Sequence, residues 1–175
     1  SSAQAGSDRM GLFDEQGQVE VLVAEDDAFS RRLLVRTLEK WGYATISAAD
    51  GLEALEILTR DGAPAIAIMD WMMPGLDGPG VCRRLRQAGA CAADARPYVI
   101  MLTAKMDGDD LAEAVEAGAD DFAVKSFDMR ELQLRLRAGE RIVRLQRQLA
   151  CRDGGACPPE DAQPAGICDT RQEPT

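Results

Sequence analysis

The sequence predicts an α/β fold in which a five-stranded parallel sheet lies between two layers of helices. Five short apolar or β-branched runs alternate with segments whose apolar residues recur at helical spacing. The third and fourth runs, AIAIMD and YVIMLT, are almost wholly apolar, as expected of central strands covered on both faces. This alternation is typical of a doubly wound (βα)5 sheet. The fifth helical segment continues past the sheet as an extended C-terminal helix.

The five strands and five helices are predicted in strict alternation. The strands are expected at residues 19–24, 44–48, 65–70, 98–103 and 121–124, and the helices at 29–41, 52–58, 78–87, 109–117 and from 128 onward. Gly42 and Gly118 are placed to end the first and fourth helices. Pro79 falls in the first turn of the third helix, where a backbone N–H has no partner within the helix.

Length and composition suit one globular domain with polar ends. The chain has 175 residues, of which 46% are hydrophobic. The domain is predicted at 19–137 and a helical extension at 138–150, between a disordered arm at 1–18 and a disordered tail rich in Pro, Gly and acids at 151–175. No apolar run approaches the roughly 20 residues of a membrane span. The first residues lack the apolar core of a signal peptide.

Charge and residue types exclude several classes of function. The net charge of −10 argues against direct nucleic-acid binding by the whole chain. The sequence contains no histidine, which excludes Ser-His or Cys-His nucleophilic catalysis within this chain. Five cysteines without a CxxC pair argue against a zinc site and are expected to be free thiols in a reducing cytoplasm. They are Cys82, Cys91, Cys151, Cys157 and Cys168.

Four predicted strands end in, or are followed by, side chains that suit phosphate chemistry. Glu25 and Asp26 follow the first strand, Asp70 ends the third, Thr103 ends the fourth and Lys125 follows the fifth. In a doubly wound, flavodoxin-like sheet the carboxyl ends of the strands border the crevice where ligands bind. Three carboxylates that meet there repel one another, so they either raise a pKa or hold a cation. Oxygen ligands without Cys or His favour Mg²⁺ as that cation.

Asp70 is the candidate nucleophile. A divalent ion would draw phosphate oxygens into the crevice, and the Lys125 ammonium and Thr103 hydroxyl suit those oxygens. A carboxylate can attack phosphorus and form an aspartyl phosphate, and Asp70 stands alone at its strand end whereas Glu25 and Asp26 form a pair. Each residue taken singly has an ordinary interpretation as a cap, a turn or a surface lysine. Their joint placement at four strand ends favours phosphoryl transfer.

Four motifs at these positions resemble the receiver domain of response regulators in two-component signalling. VLVAEDDAFSRRLL resembles the family's first strand and acidic pair, and IMDWMMPGLDG resembles its phosphoacceptor motif. MLTAK and GADDFAVKSF resemble the segments that carry its threonine and lysine, and the resemblance covers about residues 19–148. It implies a phosphorylation-activated switch rather than an enzyme, one that catalyses only its own phosphoryl transfer and slow autodephosphorylation.

The resemblance also implies which residues bind the cation. Asp70 would be the phosphoacceptor and one of the metal ligands. Asp26 would bind Mg²⁺ directly, Glu25 would help through water, and the backbone carbonyl of Met72 would be a further ligand.

The same resemblance implies a switch and a partner. Thr103 and Lys125 would contact the phosphoryl group, and Phe122 matches the aromatic switch position. Phosphorylation would draw Thr103 inward, turn Phe122 in and change the surface of helix four, strand five and helix five. A histidine kinase or a histidine phosphotransfer protein would supply the histidine that this chain lacks.

One position departs from the family pattern and leaves alternatives open. The family carries Lys-Pro with a cis bond after strand five, whereas here Ser126 follows Lys125. A cis bond before serine would cost ~2.5–4 kcal/mol, so we expect either a trans bond with an altered loop or a strained cis bond. The alternative function is a degenerate receiver that serves only for dimerisation or docking. A phosphatase of another α/β family ranks lower, because such enzymes carry a second acid where this chain has Met72.

The fifth helix carries a coiled-coil-like apolar stripe. The stripe favours a homodimer, formed through this extended helix or through the surface of helix four, strand five and helix five. Arginines cover much of the rest of the helix, and the absence of interleaved aromatic residues favours a solvated charged face over the alternative of a basic nucleic-acid surface. The segment RAGERIVRLQRQL resembles the helix that precedes diguanylate-cyclase or phosphatase output domains, so we expect either a single-domain regulator or the receiver of a larger one. The stripe consists of Leu134, Ala138, Ile142, Leu145 and Leu149.

Overall fold

The computed structural model describes residues 18–87, 96–104, 108–126 and 128–152. Most of the predicted arm (residues 1–17) and of the predicted tail (residues 153–175) lies outside these ranges, as do Cys91, Cys157 and Cys168. Strand and helix alternate throughout the described part. The elements are β1 (Glu20–Ala24), α1 (Ala28–Lys40), β2 (Ala44–Ala48), α2 (Gly51–Thr59), β3 (Ile66–Asp70), α3 (Gly78–Gln87), β4 (Tyr98–Thr103), α4 (Gly108–Ala117), β5 (Asp121–Val124) and α5 (Met129–Arg152).

The five strands form one parallel sheet in the order β2-β1-β3-β4-β5. β1 and β3 are direct neighbours, with Ala24 opposite Met69, although β2 lies between them in sequence on the other side of β1. The strand order reverses at this point, and in doubly wound sheets a crevice opens there outside the carboxyl ends of the strands. The predicted fold class, a doubly wound parallel sheet of five strands, is therefore confirmed.

Two apolar clusters cover the two faces of the sheet. Ile66 and Ile68 of β3 belong to the cluster that contains Leu132 of α5, whereas Ala67 and Met69 belong to the cluster beneath α2 and α3. The residues of β3 alternate in this way because successive side chains of a strand point to opposite faces. Every residue of β3 and β4 is buried, which confirms that these two runs are covered central strands.

Short-range contacts fix the ends of the helices near the crevice. The Asp27 carboxylate accepts a hydrogen bond from the N–H of Ser30 at 2.7 Å and caps α1. Asp50 accepts from the N–H of Glu53 at 2.8 Å and caps α2 in the same way. At the other end of α1, Gly42 adopts a φ of +88°, which a residue with a side chain rarely adopts. The predicted stop at Gly42 is therefore confirmed.

α5 is longer than the domain needs. It packs on the sheet through Leu132, Leu136, Gly139 and Val143, which are all buried. After Val143, none of the side chains that the structure describes is buried, although the helix runs on to Arg152. The predicted C-terminal extension is therefore present. Among the described residues no helix, α5 included, has the length and apolar content required to cross a membrane.

Candidate functional site

The carboxyl edge of the sheet holds the buried polar side chains of the described part of the chain. Glu25 is 1% exposed, Asp70 is 4% exposed and Thr103 is 7% exposed, and they are the buried polar or charged residues among those whose burial the structure describes. Burying a carboxylate costs free energy unless the group is paired or hydrogen-bonded. Buried ionisable groups that border a crevice are therefore candidates for a functional site.

Glu25, Asp26 and Asp70 form one acidic cluster. One carboxylate oxygen from each of the three lies within 4.8 Å of the others. The cluster forms because Glu25 and Asp26 follow β1 directly, Asp70 ends β3, and these two strands are neighbours. Glu25 and Asp70 are buried and Asp26 is exposed, so the cluster is open to solvent at Asp26. An oxygen-only set of this kind fits a hard divalent cation.

Lys125 reaches the acidic cluster from the end of β5. Its ammonium nitrogen lies 2.8 Å from Oδ2 of Asp70 and 3.0 Å from Oε2 of Glu25. Partial burial lowers the pKa of Lys125, but the hydrogen bonds and charges of Asp70 and Glu25 outweigh it, so the net pKa is raised above the usual value. The lysine is therefore charged and bridges two carboxylates. Sequence reasoning placed Lys125 near Asp70 but did not foresee the contact with Glu25, which depends on side-chain geometry.

Glu25 is a buried carboxylate whose charge is only partly compensated. Burial raises the pKa of Glu25, the hydrogen bond from Lys125 lowers it, and the charge of Asp70 raises it, with a net direction upward. A second cation at the cluster would reduce the repulsion between Glu25 and Asp70, for which Lys125 is at present the shared counter-charge. The electrostatics of the cluster thus favour cation binding.

Arg31 of α1 fixes the backbone of the acidic turn. Its guanidinium donates hydrogen bonds to the carbonyl oxygen of Glu25 at 2.6 Å and to that of Asp26 at 3.1 Å. Asp27 caps α1 immediately afterwards, so both acids are held between a strand and a helix. Sequence reasoning did not single out Arg31. Its position near the start of the helix that follows Glu25 and Asp26 was the one feature of the sequence that could have pointed to this contact.

Close backbone packing fixes the loop between β3 and α3. The N–H of Trp71 donates to the carbonyl of Leu102 at 2.8 Å, and the N–H of Gly78 donates to the carbonyl of Trp71 at 2.9 Å. A Cβ atom at Gly78 would lie 2.5 Å from the carbonyl oxygen of Asp70 and 2.5 Å from the sulfur of Met101. α3 can therefore begin against the end of β3 because residue 78 has no side chain. The sequence carried no separate signal for this contact.

The remaining candidate residues lie around the same edge. Thr103 ends β4, and its backbone carbonyl accepts a hydrogen bond from the N–H of Lys125 at 2.6 Å. Phe122 of β5 is half-buried and packs against the cluster beneath α2 and α3. The side chain of Met72 is 70% exposed, and the predicted ligand atom is its backbone carbonyl oxygen. The roles of these three residues remain predictions.

The bond between Lys125 and Ser126 is trans, since no peptide bond in the described segments is cis. Of the two arrangements expected for serine in place of proline, the structure has the trans one. Lys125 nevertheless contacts both Glu25 and Asp70. The departure from the family pattern therefore does not remove the lysine from the site.

The fold and the site together define a doubly wound α/β domain whose carboxyl edge carries an acidic cluster and a lysine at the switch point. A model of the family described as the response regulator receiver domain matches residues 21–137. The chain belongs to this family, as the resemblance of the four motifs indicated.

Curated relatives agree with this assignment. The chain is 45% identical over 123 residues to a probable transcriptional regulator, ycf27, of Porphyridium aerugineum, a match that covers 70% of this chain and 48% of the relative. It is 42% identical over 121 residues to the transcriptional regulatory protein CseB of Streptomyces coelicolor, covering 69% of this chain and 49% of the relative. The chain thus spans about half the length of the curated relatives it matches.

Solved structures are similar over the same region. The receiver domain of a Francisella response regulator superposes with a TM-score of 0.62 at 31% identity, covering 70% of this chain and 96% of that one. The receiver domain of a sensor histidine kinase from Pseudomonas aeruginosa PAO1 gives a TM-score of 0.63 at 29% identity, with coverage of 71% and 98%. The latter is described with a magnesium ion coordinated in its active-site cleft.

Proposed function

We propose that the chain is a phosphorylation-activated signalling switch in which Asp70 accepts a phosphoryl group from a phosphohistidine. The observation that carries the proposal is the contact of 2.8 Å between the Lys125 ammonium and the buried Asp70 carboxylate, beside the acidic cluster. A carboxylate in such surroundings can act as a nucleophile toward phosphorus while nearby cations neutralise charge on the transferred oxygens. The proposed donor is a histidine kinase or a histidine phosphotransfer protein.

The proposal includes Mg²⁺ as the cofactor. Glu25, Asp26, Asp70 and the backbone carbonyl of Met72 are the residues that would hold it. The convergence of three acids within 4.8 Å supports this assignment, as does the magnesium ion reported for the similar Pseudomonas aeruginosa receiver domain. The ion, when bound, supplies positive charge for the phosphoryl oxygens.

The proposed chemical step uses groups of this chain on one side and the donor on the other. An oxygen of Asp70 attacks the phosphorus of the phosphohistidine, a P–O bond forms as the P–N bond breaks, and the imidazole leaves with the bonding electron pair. The Lys125 ammonium and the Thr103 hydroxyl then donate hydrogen bonds to phosphoryl oxygens. Slow attack of water on phosphorus then breaks the P–O bond to Asp70, which releases inorganic phosphate and returns the carboxylate to its free state.

The proposed switch follows from the charge that phosphorylation adds at Asp70. Lys125 bridges Asp70 and Glu25 in the structure, so its transfer to a phosphoryl group would change the end of β5. Phe122, half-buried three residues earlier on β5, would turn further into the molecule as Thr103 moves toward the phosphoryl group. The surface formed by α4, β5 and α5 would change as a result.

The proposed signalling output includes self-association through that surface. Val115 of α4 is 62% exposed and Leu134 of α5 is 68% exposed, and apolar side chains this accessible are suited to an interface. A second copy is the proposed partner. The extended end of α5 is the other candidate surface for a homodimer.

The nature of the output module is a further part of the proposal. The curated relatives are named as transcriptional regulators, whereas the segment RAGERIVRLQRQL resembles the helix before diguanylate-cyclase or phosphatase domains. The chain therefore acts either alone or as the receiver of a larger regulator with one of these outputs. A histidine kinase charges its histidine from ATP, so the same proposal places the chain in the cytoplasm.

Phosphorylation by acetyl phosphate tests the proposal without a partner protein. The protein incubated with acetyl phosphate and Mg²⁺ should shift on a phosphate-affinity gel, and the Asp70→Ala variant should not. Asp61→Asn is the matched control, because Asp61 is an exposed acid away from the site and should be labelled like the parent protein. A chelator should also stop labelling. Undiminished labelling of Asp70→Ala would overturn the assignment, and no labelling of the folded parent protein would favour the degenerate receiver.

A further inference from the structure

The face of α5 that the domain uses is filled. Leu132 and Leu136 are 0% exposed and Val143 is 3% exposed. Gly139 lies on the same face, where an added Cβ would come within 2.5 Å of a ring carbon of Tyr98. No further element can pack on this side of the helix, because the helix is already in close contact with the sheet.

A second face of α5 is apolar and exposed. Ile142 is 39% exposed, Leu145 is 53% exposed and Leu149 is 61% exposed. Ala138 is also exposed and precedes Ile142 by one helical turn. Apolar side chains exposed along one face of a helix form a candidate interaction surface. The stripe predicted from the sequence therefore exists as an uncovered face of the folded domain.

We infer that this face binds α5 of a second copy as a short parallel two-stranded coiled coil that does not depend on phosphorylation. In a heptad frame, Ile142 and Leu149 occupy a positions, and Ala138 and Leu145 occupy d positions. Ile142 at a and Leu145 at d, the central pair of the repeat, are the combination that favours the parallel dimer over higher oligomers. The repeat therefore specifies a second, identical helix as the occupant.

Between Ala138 and Leu149, parallel pairing places no charged side chain at an a or d position and creates no like-charge contact at the seam. In parallel register the g position Arg141 of one copy faces the e position Gln146 of the other. Arg144 lies at an outer c position and is paired with Glu140 at 2.7 Å. Arg135 is paired within its own chain, to Asp121 and Glu131. An acidic partner is therefore not needed to neutralise this face.

The folded domain stabilises the helix that forms the short coiled coil. Isolated helices of fewer than about 12–15 residues are marginal because nucleation is costly. Here the first half of α5 is already held on the sheet through Leu132, Leu136 and Val143, so the segment that pairs continues an existing helix. The contacts of the four core layers therefore do not have to offset the free-energy cost of forming the helix.

This interface would tether two receivers before any signal arrives. A permanent tether raises the effective concentration of the α4, β5 and α5 surfaces toward each other, so phosphorylation would act within an existing pair. Because the interface uses no residue of the acidic cluster, its failure and the failure of Asp70 phosphorylation are separate results.

Analytical ultracentrifugation of the full 175-residue chain without any phosphate mimic tests the inference. We expect the parent protein to form a concentration-dependent dimer. The double variant Ile142→Glu with Leu145→Glu should raise the dissociation constant of this dimer roughly 100-fold, because each charge buried at the seam should weaken it tenfold or more. Arg137→Glu, which places an acid on the outer face of the same helix, is the matched control and should dimerise like the parent. Circular dichroism shows that each variant is folded.

Two outcomes would overturn the inference. One is a parent protein that stays monomeric, and the other is a dimer that Asp70→Ala weakens as strongly as the seam variant does. Orientation is tested with Leu145→Cys in a background where Cys91, Cys151, Cys157 and Cys168 are serine. Parallel pairing predicts a disulfide between the two copies of residue 145. Cross-linking that requires a mixture with Ile142→Cys would show antiparallel pairing instead.

Discussion

At the scale of single residues, the candidate site is a balance between one ammonium and two buried carboxylates. Lys125 lies 2.8 Å from Asp70 and 3.0 Å from Glu25, while Asp26 stands exposed beside them. Burial and the charge of Asp70 raise the pKa of Glu25, and its hydrogen bond to Lys125 opposes that rise. The site therefore holds excess negative charge, which a cation or a rearranged lysine can compensate.

Replacing Lys125 by methionine should make the domain depend on Mg²⁺. The variant leaves Glu25 and Asp70 without their shared counter-charge. We therefore expect the free energy of unfolding in chelator to fall by about 1–2 kcal/mol. The value is modest because the lysine is one-third exposed and its charge is partly screened by solvent. Added Mg²⁺ should then stabilise the variant more than the parent protein, since the ion replaces the missing positive charge. Urea unfolding with and without Mg²⁺ measures both effects.

Arg83→Met is the control for that experiment. Arg83 pairs with Glu113 on the surface, with both side chains close to half exposed, and such pairs contribute about 0–1 kcal/mol. The decrease in the free energy of unfolding of Arg83→Met should be small, and it should be the same in chelator and in Mg²⁺. Equal destabilisation of Lys125→Met under both conditions would contradict a cation site at the cluster.

Cys82 should be inert in the folded protein. Burial raises the pKa of this thiol to about 12, with smaller effects from Arg86, Asp120 and Arg83. Because the folded-state pKa lies above that of an exposed thiol, the group contributes stability below the ordinary pKa and loses it as the pH rises toward 12. Iodoacetamide near the ordinary thiol pKa of ~8.5 should leave Cys82 unmodified until urea is added. Peptide mapping by mass spectrometry that found rapid native modification would contradict this.

At the scale of elements, periodicity and turn residues predicted most of the fold. Strands at 44–48, 98–103 and 121–124 and the helix at 78–87 have the predicted bounds, because apolar runs and flanking glycines mark them clearly. Several contacts between elements were not predictable. These contacts depend on three-dimensional packing, which spacing along the sequence does not reveal. They are the close approach of α3 to β3 at Gly78, the ion pair between Lys125 and Glu25, and the hydrogen bonds from Arg31 to the backbone after β1.

The predicted convergence of site residues had a different basis. Parallel strands bring their carboxyl ends to one edge, so Glu25, Asp26 and Asp70 could be placed at the same edge of the sheet from the strand ends alone. Which face of α5 packs on the sheet could not be decided in this way. Both of its faces carry apolar residues at helical spacing, and only packing distinguishes the buried Leu136 from the exposed Leu145.

Gly78→Ala should weaken the junction between β3 and α3. The added methyl group would lie 2.5 Å from both the carbonyl oxygen of Asp70 and the sulfur of Met101. Because the backbone must shift to relieve these contacts, we expect the free energy of unfolding to fall by about 1–3 kcal/mol. Phosphorylation by acetyl phosphate should slow as well, because the strand end that carries Asp70 moves. Chemical denaturation and labelling rates measure these two effects.

Gly80→Ala provides the comparison within the same helix. A Cβ there would meet the ends of the Asp77 and Leu76 side chains rather than backbone atoms. Asp77 would have to shift while it accepts a hydrogen bond from the N–H of Gly80 at 2.7 Å, but alanine favours a helix over glycine by about 1 kcal/mol. This variant should therefore be closer to the parent in stability. A Gly78→Ala variant as stable as Gly80→Ala would show that the backbone contact at residue 78 does not constrain the fold.

At the scale of the whole molecule, one sheet connects the candidate phosphorylation site with two surfaces for association. β5 leads from Phe122 to Lys125 at the site, and α5 follows it and carries the exposed stripe beyond the domain. A change at the end of β5 is therefore adjacent in sequence and in space to the helix that would join two copies. Under the proposed function, this arrangement would let phosphorylation of Asp70 alter how two domains sit together.

The chemical identity of the modified residue tests the central proposal most directly. The protein is treated with acetyl phosphate and Mg²⁺ and then with borohydride, which reduces an aspartyl phosphate to homoserine. Peptide mapping by mass spectrometry should find homoserine at position 70, and only when both acetyl phosphate and Mg²⁺ were present. Homoserine at another aspartate instead, or an unmodified Asp70 in protein that is folded and saturated with Mg²⁺, would contradict the assignment of Asp70 as the phosphoacceptor.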